Sequence, residues 1–335
     1  MVRMLVLARR PVGVPTMDDF DEVVQEEPLL GDNDVRIEPM VFSVDPYLRG
    51  RMSDARSYVA PFELGGAIRS AAIGKIVESN VEGYRVGELV RGEFPWATSV
   101  VANAATLWKL PAEEGVAPSA YLGVLGMTGL TAYVGLVVLG KVTSEDEVLV
   151  TGAAGAVGSV VGQLGKIHGA RVVGSAGGTT KVEELAKLGF SAGIDYRASE
   201  DFGQMLRAAL PDGISLFFDN VGGSQFEAGL YRMKDFGRIL LCGAISQYND
   251  TEPPSGPRGF EGLVVRRRLQ VQGFIVSDHL QLYREYLSLA TQWVRSGQLR
   301  SLETVVDGFE SLPNAFLSLF TGVNIGKMLV RVSTE

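Results

Sequence analysis

The sequence predicts an α/β fold, a doubly wound parallel sheet joined to a second, β-rich domain. Three observations carry this expectation. The β-branched run Glu147-Val148-Leu149-Val150 leads through small residues into an apolar helical pattern, and then into a second apolar run, Arg171-Val172-Val173-Gly174. From about residue 121 strand-like and helix-like segments alternate, as in a parallel sheet with helices on both faces. Before that point apolar residues alternate singly, as in half-exposed strands. At 335 residues the chain exceeds one typical domain. The change of texture divides it into 1–120 with 297–335, the β-rich part, and 121–296, the parallel part.

Each element has its own justification. Residues 1–10 read as a first strand, because their apolar part is too short for a signal peptide. Residues 35–40 and 72–79 alternate, and 87–92 carry glycine at both ends of a short apolar run. In the second part, strands are expected at 192–196, 215–218, 238–242 and 269–276. Helices are expected near 181–188, 199–210, 224–233 and 279–295. With the first two runs this makes six parallel strands, a complete Rossmann sheet of two mononucleotide halves. Residues 250–259 are rich in Pro and Gly and read as a surface loop. The tail ends in a strand, 328–332, expected to return to the first domain.

The turn after the first parallel strand carries chemistry. Strand, tight turn, helix and strand together present backbone N–H groups to a pyrophosphate. Gly155 lets backbone approach phosphate closely, and Gly158 lets the helix pack on the strand. Ala153 replaces the first glycine of G-x-G-x-x-G, which makes the motif the A-x-G-x-x-G variant; the flanking strand and helix supply its context. An NAD site carries an acidic residue about 20 positions further on. Here Gly174-Ser175-Ala176-Gly177-Gly178-Thr179-Thr180-Lys181 offers hydroxyls and one cation, with no carboxylate before Glu183. Lys181 and those hydroxyls suit a 2′-phosphate, so the expected cofactor is NADP(H).

Composition excludes other classes. A net charge of −8 argues against nucleic acid and against acidic membrane surfaces. The one dense basic run, Arg266-Arg267-Arg268, reads as a solvated segment before a strand. No apolar run reaches 18 residues, so no membrane span is expected. A single cysteine permits no intrachain disulfide and fits a reducing cytoplasm. Cys242, His168 and His279 are too few and too dispersed for a zinc site, so no metal is expected. His168 ends the first helix of the parallel domain, where the helix dipole favours a cation. Cys242 closes an apolar strand as a small buried side chain.

Several segments, spread over nearly the whole chain, now bring a resemblance. They are Ser43-Val44-Asp45-Pro46-Tyr47-Leu48-Arg49-Gly50-Arg51-Met52, Met127-Thr128-Gly129-Leu130-Thr131-Ala132-Tyr133, Ala153–Ser159, Asp219-Asn220-Val221-Gly222-Gly223, Cys242–Asn249 and Asn324-Ile325-Gly326-Lys327. In this order they resemble a zinc-free medium-chain dehydrogenase/reductase, within the NADPH-dependent alkenal/one double-bond reductase group that includes prostaglandin and curcumin reductases. The resemblance implies a GroES-like N-terminal domain, completed by the C-terminal tail, with the Rossmann domain inserted. It implies no zinc, since zinc-dependent relatives carry a Cys at the Ser43-Val44-Asp45 stretch and a Gly-His-Glu motif that is missing near Glu63-Leu64-Gly65-Gly66.

It also implies cofactor residues. Ala154, Gly155, Ala156 and Val157 line the pyrophosphate. Lys181 and the Tyr196 hydroxyl hold the 2′-phosphate. Asn220 lies at a strand C-terminal end, where ligands of such sheets bind. Cys242, Gly243, Ala244, Ile245, Ser246 and Tyr248, with Phe274, Ile275 and Val276, border the nicotinamide. Met127 and Thr128 sit under it, and Asn324 reaches the cofactor from the tail. A homodimer is implied, formed through the 269–276 edge strand.

The expected chemistry follows. A ligand count without zinc leaves no strong Lewis acid to polarise a bare carbonyl, so the hydride acceptor must already be activated. A carbon–carbon double bond conjugated to a carbonyl qualifies. Hydride from the nicotinamide C4 reaches the β-carbon, and charge collects on oxygen as an enolate. A tyrosine or ribose hydroxyl stabilises it. Tyr248 is the first candidate, and Tyr58, in a loop expected to face the cleft, is the second; either, or water, returns the α-carbon proton. Two other readings stand beside this one. A zinc-free quinone reductase is disfavoured by residues 43–52 and 242–249, and a non-catalytic NADP-binding protein would not oxidise NADPH whatever the acceptor.

Overall fold

The computed structural model describes residues 1–332 apart from 112, 199–200 and 253–254. The chain divides into two compact units, Met1–Leu122 with Glu303–Glu335, and Gly123–Leu302. In chain order the strands are β1 (Val2–Leu7), β2 (Phe20–Gln25), β3 (Asp34–Val44), β4 (Arg69–Ser79) and β5 (Leu89–Pro95). Then come β6 (Val100–Asn103), β7 (Trp108–Lys109), β8 (Glu147–Val150), β9 (Arg171–Ala176) and β10 (Ala192–Asp195). The last are β11 (Ile214–Asp219), β12 (Met233–Leu241), β13 (Gln270–Gly273), β14 (Glu303–Asp307) and β15 (Lys327–Arg331).

In the first unit, among the described residues, β1 and β2 form one antiparallel pair. A larger sheet has the order β14-β15-β3-β4-β5-β7, with β6 also on β3. The alternation of β3 and β4 has a direct consequence. Val35, Ile37, Phe42, Ala72 and Ile76 are buried in one apolar cluster with Trp96, Phe94 and Phe316. Trp96 is fully buried, and its indole N–H donates to Ser70 Oγ at 2.9 Å, which satisfies the one polar atom that burial would otherwise strand. The tail enters this sheet one strand in from its edge, between β14 and β3, and β15 pairs antiparallel with β3 from Met328↔Val44 to Arg331↔Val41. Strand β14 was not expected from the sequence. It lies at the edge, and its alternate residues Glu303, Val305 and Asp307 are charged or exposed, so its pattern is weak.

In the second unit six parallel strands run in the order β10-β9-β8-β11-β12-β13 among the described residues. That is a complete Rossmann sheet, with the order of strands reversing between β8 and β11. Strands β8 and β11 are buried on both faces and are nearly continuous in apolar residues, as a central parallel strand requires. Four details depart from expectation. The strand expected over 269–276 stops at Gly273, because Phe274 turns its ring inward against Phe218 (centroids 6.1 Å apart, edge-on), and helical turns begin at Val276. Residues 260–267 form a helix that the sequence concealed, since only Leu263 of its eight residues is buried. The helix expected over 199–210 runs Phe202–Ala209. Asp201 caps it by accepting from the Gln204 N–H at 2.8 Å, and Ser199 lies outside the described residues. Strand β12 begins early, at Met233, through an irregular stretch; Pro253 and Pro254 of the expected 250–259 loop also lie outside the described residues.

Candidate functional site

The turn after β8 is built around Gly152, whose φ of +59° places it in the left-handed region. The tight-turn role therefore falls one residue before the Ala153 of the motif. Ala153 donates to the Ser175 carbonyl at 2.9 Å, which ties the turn to β9. A Cβ at Gly158 would lie 2.3 Å from the Gly152 carbonyl oxygen, so the helix Gly158–Ile167 can start this close only at glycine. Gly155 is less constrained, since a Cβ there would meet that same oxygen at 3.2 Å. Ala154 is buried, whereas Gly155, Ala156 and Val157 are half-buried. No side chain caps the helix N-terminus, and its dipole favours an anion there.

At the ends of β9 and β10 a cationic cluster assembles. Lys181 lies half-buried in the first turn of the helix Thr179–Leu188, whose N-cap is Gly178. Burial lowers the Lys181 pKa, and the charge of Arg197 lowers it further. The Arg197 guanidinium lies over the Tyr196 ring, 5.7 Å from its centroid. A Cβ on Gly177 would come within 2.8 Å of both Arg197 Nε and the Tyr196 hydroxyl, so the glycine backbone runs directly beneath them. Asp195 organises the corner through one carboxylate oxygen, which accepts from the N–H groups of Gly178 at 2.8 Å and Arg197 at 3.0 Å. Folding thus adds a carboxylate to a segment that has none in sequence, but one already engaged by backbone. Two neighbouring cations, a phenol and a helix N-terminus favour a doubly charged anion.

The ends of β8, β11 and β12 are stitched together. Asp219 is buried and accepts from Thr151 Oγ1 (2.5 Å) and from the N–H groups of Val221 (3.2 Å) and Gly222 (3.0 Å). Its pKa is raised by burial, against the opposing pull of these bonds. Asn220 donates its side-chain amide to the Thr151 carbonyl at 2.7 Å. The Ile245 and Ser246 N–H groups donate to the Asn220 and Val221 carbonyls at 3.3 and 3.1 Å. Tyr248 folds back over this loop, its hydroxyl oxygen accepting from the Ala244 N–H at 3.4 Å. Burial pushes the Cys242 thiol up to about 12, so it carries no thiolate near neutral pH.

Met127 and Thr128 open the helix Met127–Tyr133. Met127 is exposed, whereas Thr128 is buried and donates to the Gly123 carbonyl at 3.0 Å. The preceding segment is held by the hydroxyls of Tyr286, bonded to the Val124 carbonyl at 2.5 Å, and Tyr283, bonded to that of Leu125 at 3.0 Å. Of the edge residues, Ile275 and Val276 are half-buried, and the Phe274 ring is a core contact.

In the first unit, Tyr58 is 63% exposed, on a loop whose base is gripped by Arg10 and Arg51. Arg10 donates to the carbonyls of Met52 and Phe62, and Arg51 Nε donates to that of Ala60. Asn324 donates to the Gly326 carbonyl at 2.9 Å. Nearby in sequence, the Lys327 ammonium is fully buried and ion-paired with Asp45, whose other oxygen accepts from Ser43 Oγ at 2.5 Å.

Comparison with known proteins bears on this geometry. Residues 3–110 match a model described as the N-terminal domain of oxidoreductase, and residues 156–292 one described as zinc-binding dehydrogenase. The chain is 38% identical to the NADPH-dependent curcumin reductase of Escherichia coli, over 99% of this chain and 97% of that protein. It is 40% identical to the NADP(+)-dependent 2-alkenal reductase of Nicotiana tabacum, over 99% of this chain and 98% of that one. The crystal structure of CurA from Vibrio vulnificus in complex with NADPH superposes with a TM-score of 0.94 at 37% identity, covering 99% of this chain and 100% of that one. The chain belongs to the medium-chain dehydrogenase/reductase family, in its alkenal/one reductase group.

The zinc named by one of the matching models does not suit this family member's side chains. Among the described residues no group of three or more His, Cys, Asp and Glu is placed to hold a metal ion. Asp45 is already neutralised by Lys327, and His168 Nδ1 bonds the Leu164 carbonyl at 2.8 Å. Nor is any helix of the described residues long and apolar enough to cross a membrane. Sequence reasoning missed Arg197, Asp195 and Asp219. Arg197 was discoverable as a second cation next to Tyr196 at a strand C-terminal end. Asp195 and Asp219 gave no signal, since their roles depend on backbone N–H groups brought to them by the fold.

Proposed function

We propose that this chain is an NADPH-dependent reductase of carbon–carbon double bonds conjugated to an aldehyde or ketone carbonyl. The observation that carries this reading is full-length similarity to relatives named as curcumin and 2-alkenal reductases, at 38% and 40% identity. The Lys181–Tyr196–Arg197 cluster supports the choice of cofactor, because a 2′-phosphate relieves the mutual repulsion of two cations. In this reading Gly155, Ala156 and Val157 meet the pyrophosphate with backbone N–H groups, and Ala154 acts only through its position in the turn. Asn220, residues 242–246 and Ile275–Val276 line the nicotinamide from strand C-terminal ends, while Phe274 and Thr128 support neighbours. Met127 offers an exposed thioether, and Asn324 is a further cofactor residue.

Bound NADPH supplies a hydride, which the alkene β-carbon accepts. Tyr248 donates a hydrogen bond to the oxygen on which charge then builds. The hydrogen bond that the Tyr248 hydroxyl oxygen accepts from the Ala244 N–H stabilises the negative charge that gathers on that oxygen as it donates. Tyr58 takes the second place, as a loop contact to substrate. The assembly is a homodimer joined through β13, the last strand of its sheet, whose outer edge is suited to pairing, and the setting is cytoplasmic.

Two measurements test this. NADPH oxidation is followed with an enone, an enal, a quinone and, with NADP, an alcohol. Turnover of the enone and enal alone is expected, and a lack of NADPH oxidation with every acceptor would leave only a non-catalytic binding protein. In Tyr248→Phe, kcat on an enone falls by about 10² with NADPH affinity unchanged; unchanged turnover removes Tyr248 from the chemistry. A monomeric mass in light scattering would remove the dimer.

A further inference from the structure

The candidate cofactor segments at 152–158, 177–181, 195–197, 219–222 and 242–248 follow the C-terminal ends of parallel strands. A second basic feature gathers at the opposite, N-terminal ends. A pocket of about 560 Å³ opens there, lined by residues just before β11, at the start of β12 and before β13. Five cationic side chains line it, Arg232, Lys234, Arg266, Arg267 and Arg268, against two carboxylates, Asp212 and Asp235. One of those carboxylates is taken: Asp235 pairs with Arg268 at 2.5 Å. This excess of positive charge stands out in a chain of net charge −8.

The pocket is assembled by tertiary structure. Between the pairs Met233↔Ile214 and Arg238↔Leu216, β12 carries four residues opposite one of β11, and this bulge pushes Lys234, Asp235 and Phe236 outward. Phe236 has a φ of +60° and is 69% exposed, with the Arg268 guanidinium 4.4 Å from its ring centroid. Arg268 ends the helix Phe260–Arg267 in the left-handed region, at φ +50°, and its guanidinium also donates to the Arg266 carbonyl. Arg232 anchors the wall by donating to the carbonyls of Leu210 (2.6 Å) and Pro211 (2.8 Å). Its buried Nε has no acceptor among the described residues. No carboxylate among the described residues pairs with Lys234, Arg266 or Arg267.

We propose that this pocket binds a phosphorylated small molecule carrying at least two negative charges, at a site separate from the cofactor's. The length of β11, six residues at about 3.3 Å each, puts the two ends of the sheet roughly 20 Å apart, so both sites fill at once. Arg fans suit phosphate oxygens, and several like charges converging on one concave surface concentrate anions there.

Isothermal titration with sodium pyrophosphate, on protein saturated with NADPH and at matched ionic strength, tests this. Saturable binding of one equivalent is expected. The double variant Lys234→Gln/Arg267→Gln weakens it at least tenfold, whereas Lys181→Ala leaves it intact. Circular dichroism melting checks that the double variant is folded; if it is not, the single variant Arg266→Gln, at an exposed position, is read in its place and weakens binding severalfold. Absence of saturable binding, binding unchanged in the folded variant, or loss in Lys181→Ala overturns the proposal.

Discussion

Two lysines of this protein are buried in opposite company. Lys327, in the first unit, faces Asp45 and Ser43, and its charge is answered within the core. Lys181, in the second, stands beside Arg197 and the Tyr196 hydroxyl, so the charge that shifts its proton affinity is another cation's. Burial lowers the pKa of both and is the largest cause in each. For Lys327 the Asp45 charge pushes back up; for Lys181 the Arg197 charge pushes further down. The first arrangement is complete in the folded protein. The second is improved by an incoming anion. A neighbouring carboxylate marks the structural lysine of the two, and a neighbouring cation marks the candidate anion-binding one.

The largest effect that could break this comparison is at Lys327. Lys327→Met strands the Asp45 carboxylate in the core, and chemical unfolding is expected to show a loss of about 3–5 kcal/mol. Restoring balance with Lys327→Met/Asp45→Leu should recover much of it, because replacing both partners by apolar groups is often near neutral. If the single variant were as stable as the parent, Lys327 would not be structural and the contrast would dissolve.

Next is Lys181. Lys181→Ala should weaken NADPH by about 10- to 100-fold, the range of a hydrogen bond to a charged group, and leave NADH nearly unaffected, with stability little changed. Equal losses for the two cofactors would place Lys181 somewhere other than at the 2′-phosphate. Arg197→Ala should act in the same direction but less than additively, since removing one cation also frees the other from repulsion.

The smallest effect is a pH dependence that sharpens the assignment. Lys181 holds phosphate only when protonated, and its pKa in the free protein lies below the ordinary 10.5. The NADPH-over-NADH preference should therefore fall as pH rises through that lowered value, earlier than an ordinary lysine would allow. Stability of the cofactor-free protein runs the other way. The unfolded chain binds this proton more readily, so stability rises with pH across the same window. Proton uptake on NADPH binding in mildly alkaline buffers of different ionisation enthalpy would measure it; no uptake would separate Lys181 from the anion.

The sheet and most of its helices were legible because period-2 and period-3.6 patterns report burial directly, and β8 with its glycine turn is an example. Where burial was partial the pattern failed. The helix Phe260–Arg267 hides one buried leucine among charges, and β14 is an edge strand with one exposed face. The candidate site was legible where its geometry is local, as at Gly158, whose close approach to the Gly152 carbonyl leaves no room for a Cβ. It was illegible at Asp195 and Asp219, whose partners come from Gly178 and from Thr151, residues 17 and 68 positions away.

The sequence alone determined most of the element types and the strand–turn–helix that offers N–H groups to phosphate, since each depends on residue identity and short spacing. Tertiary structure decided which charges meet. It paired Lys327 with Asp45 across 282 positions and set Arg197 beside Lys181. It also gathered Arg232 and Lys234 with the Arg266–Arg268 run that looked merely solvated. The reason is that charge–charge interaction depends on distance and burial in space, and neither quantity is written in the order of residues.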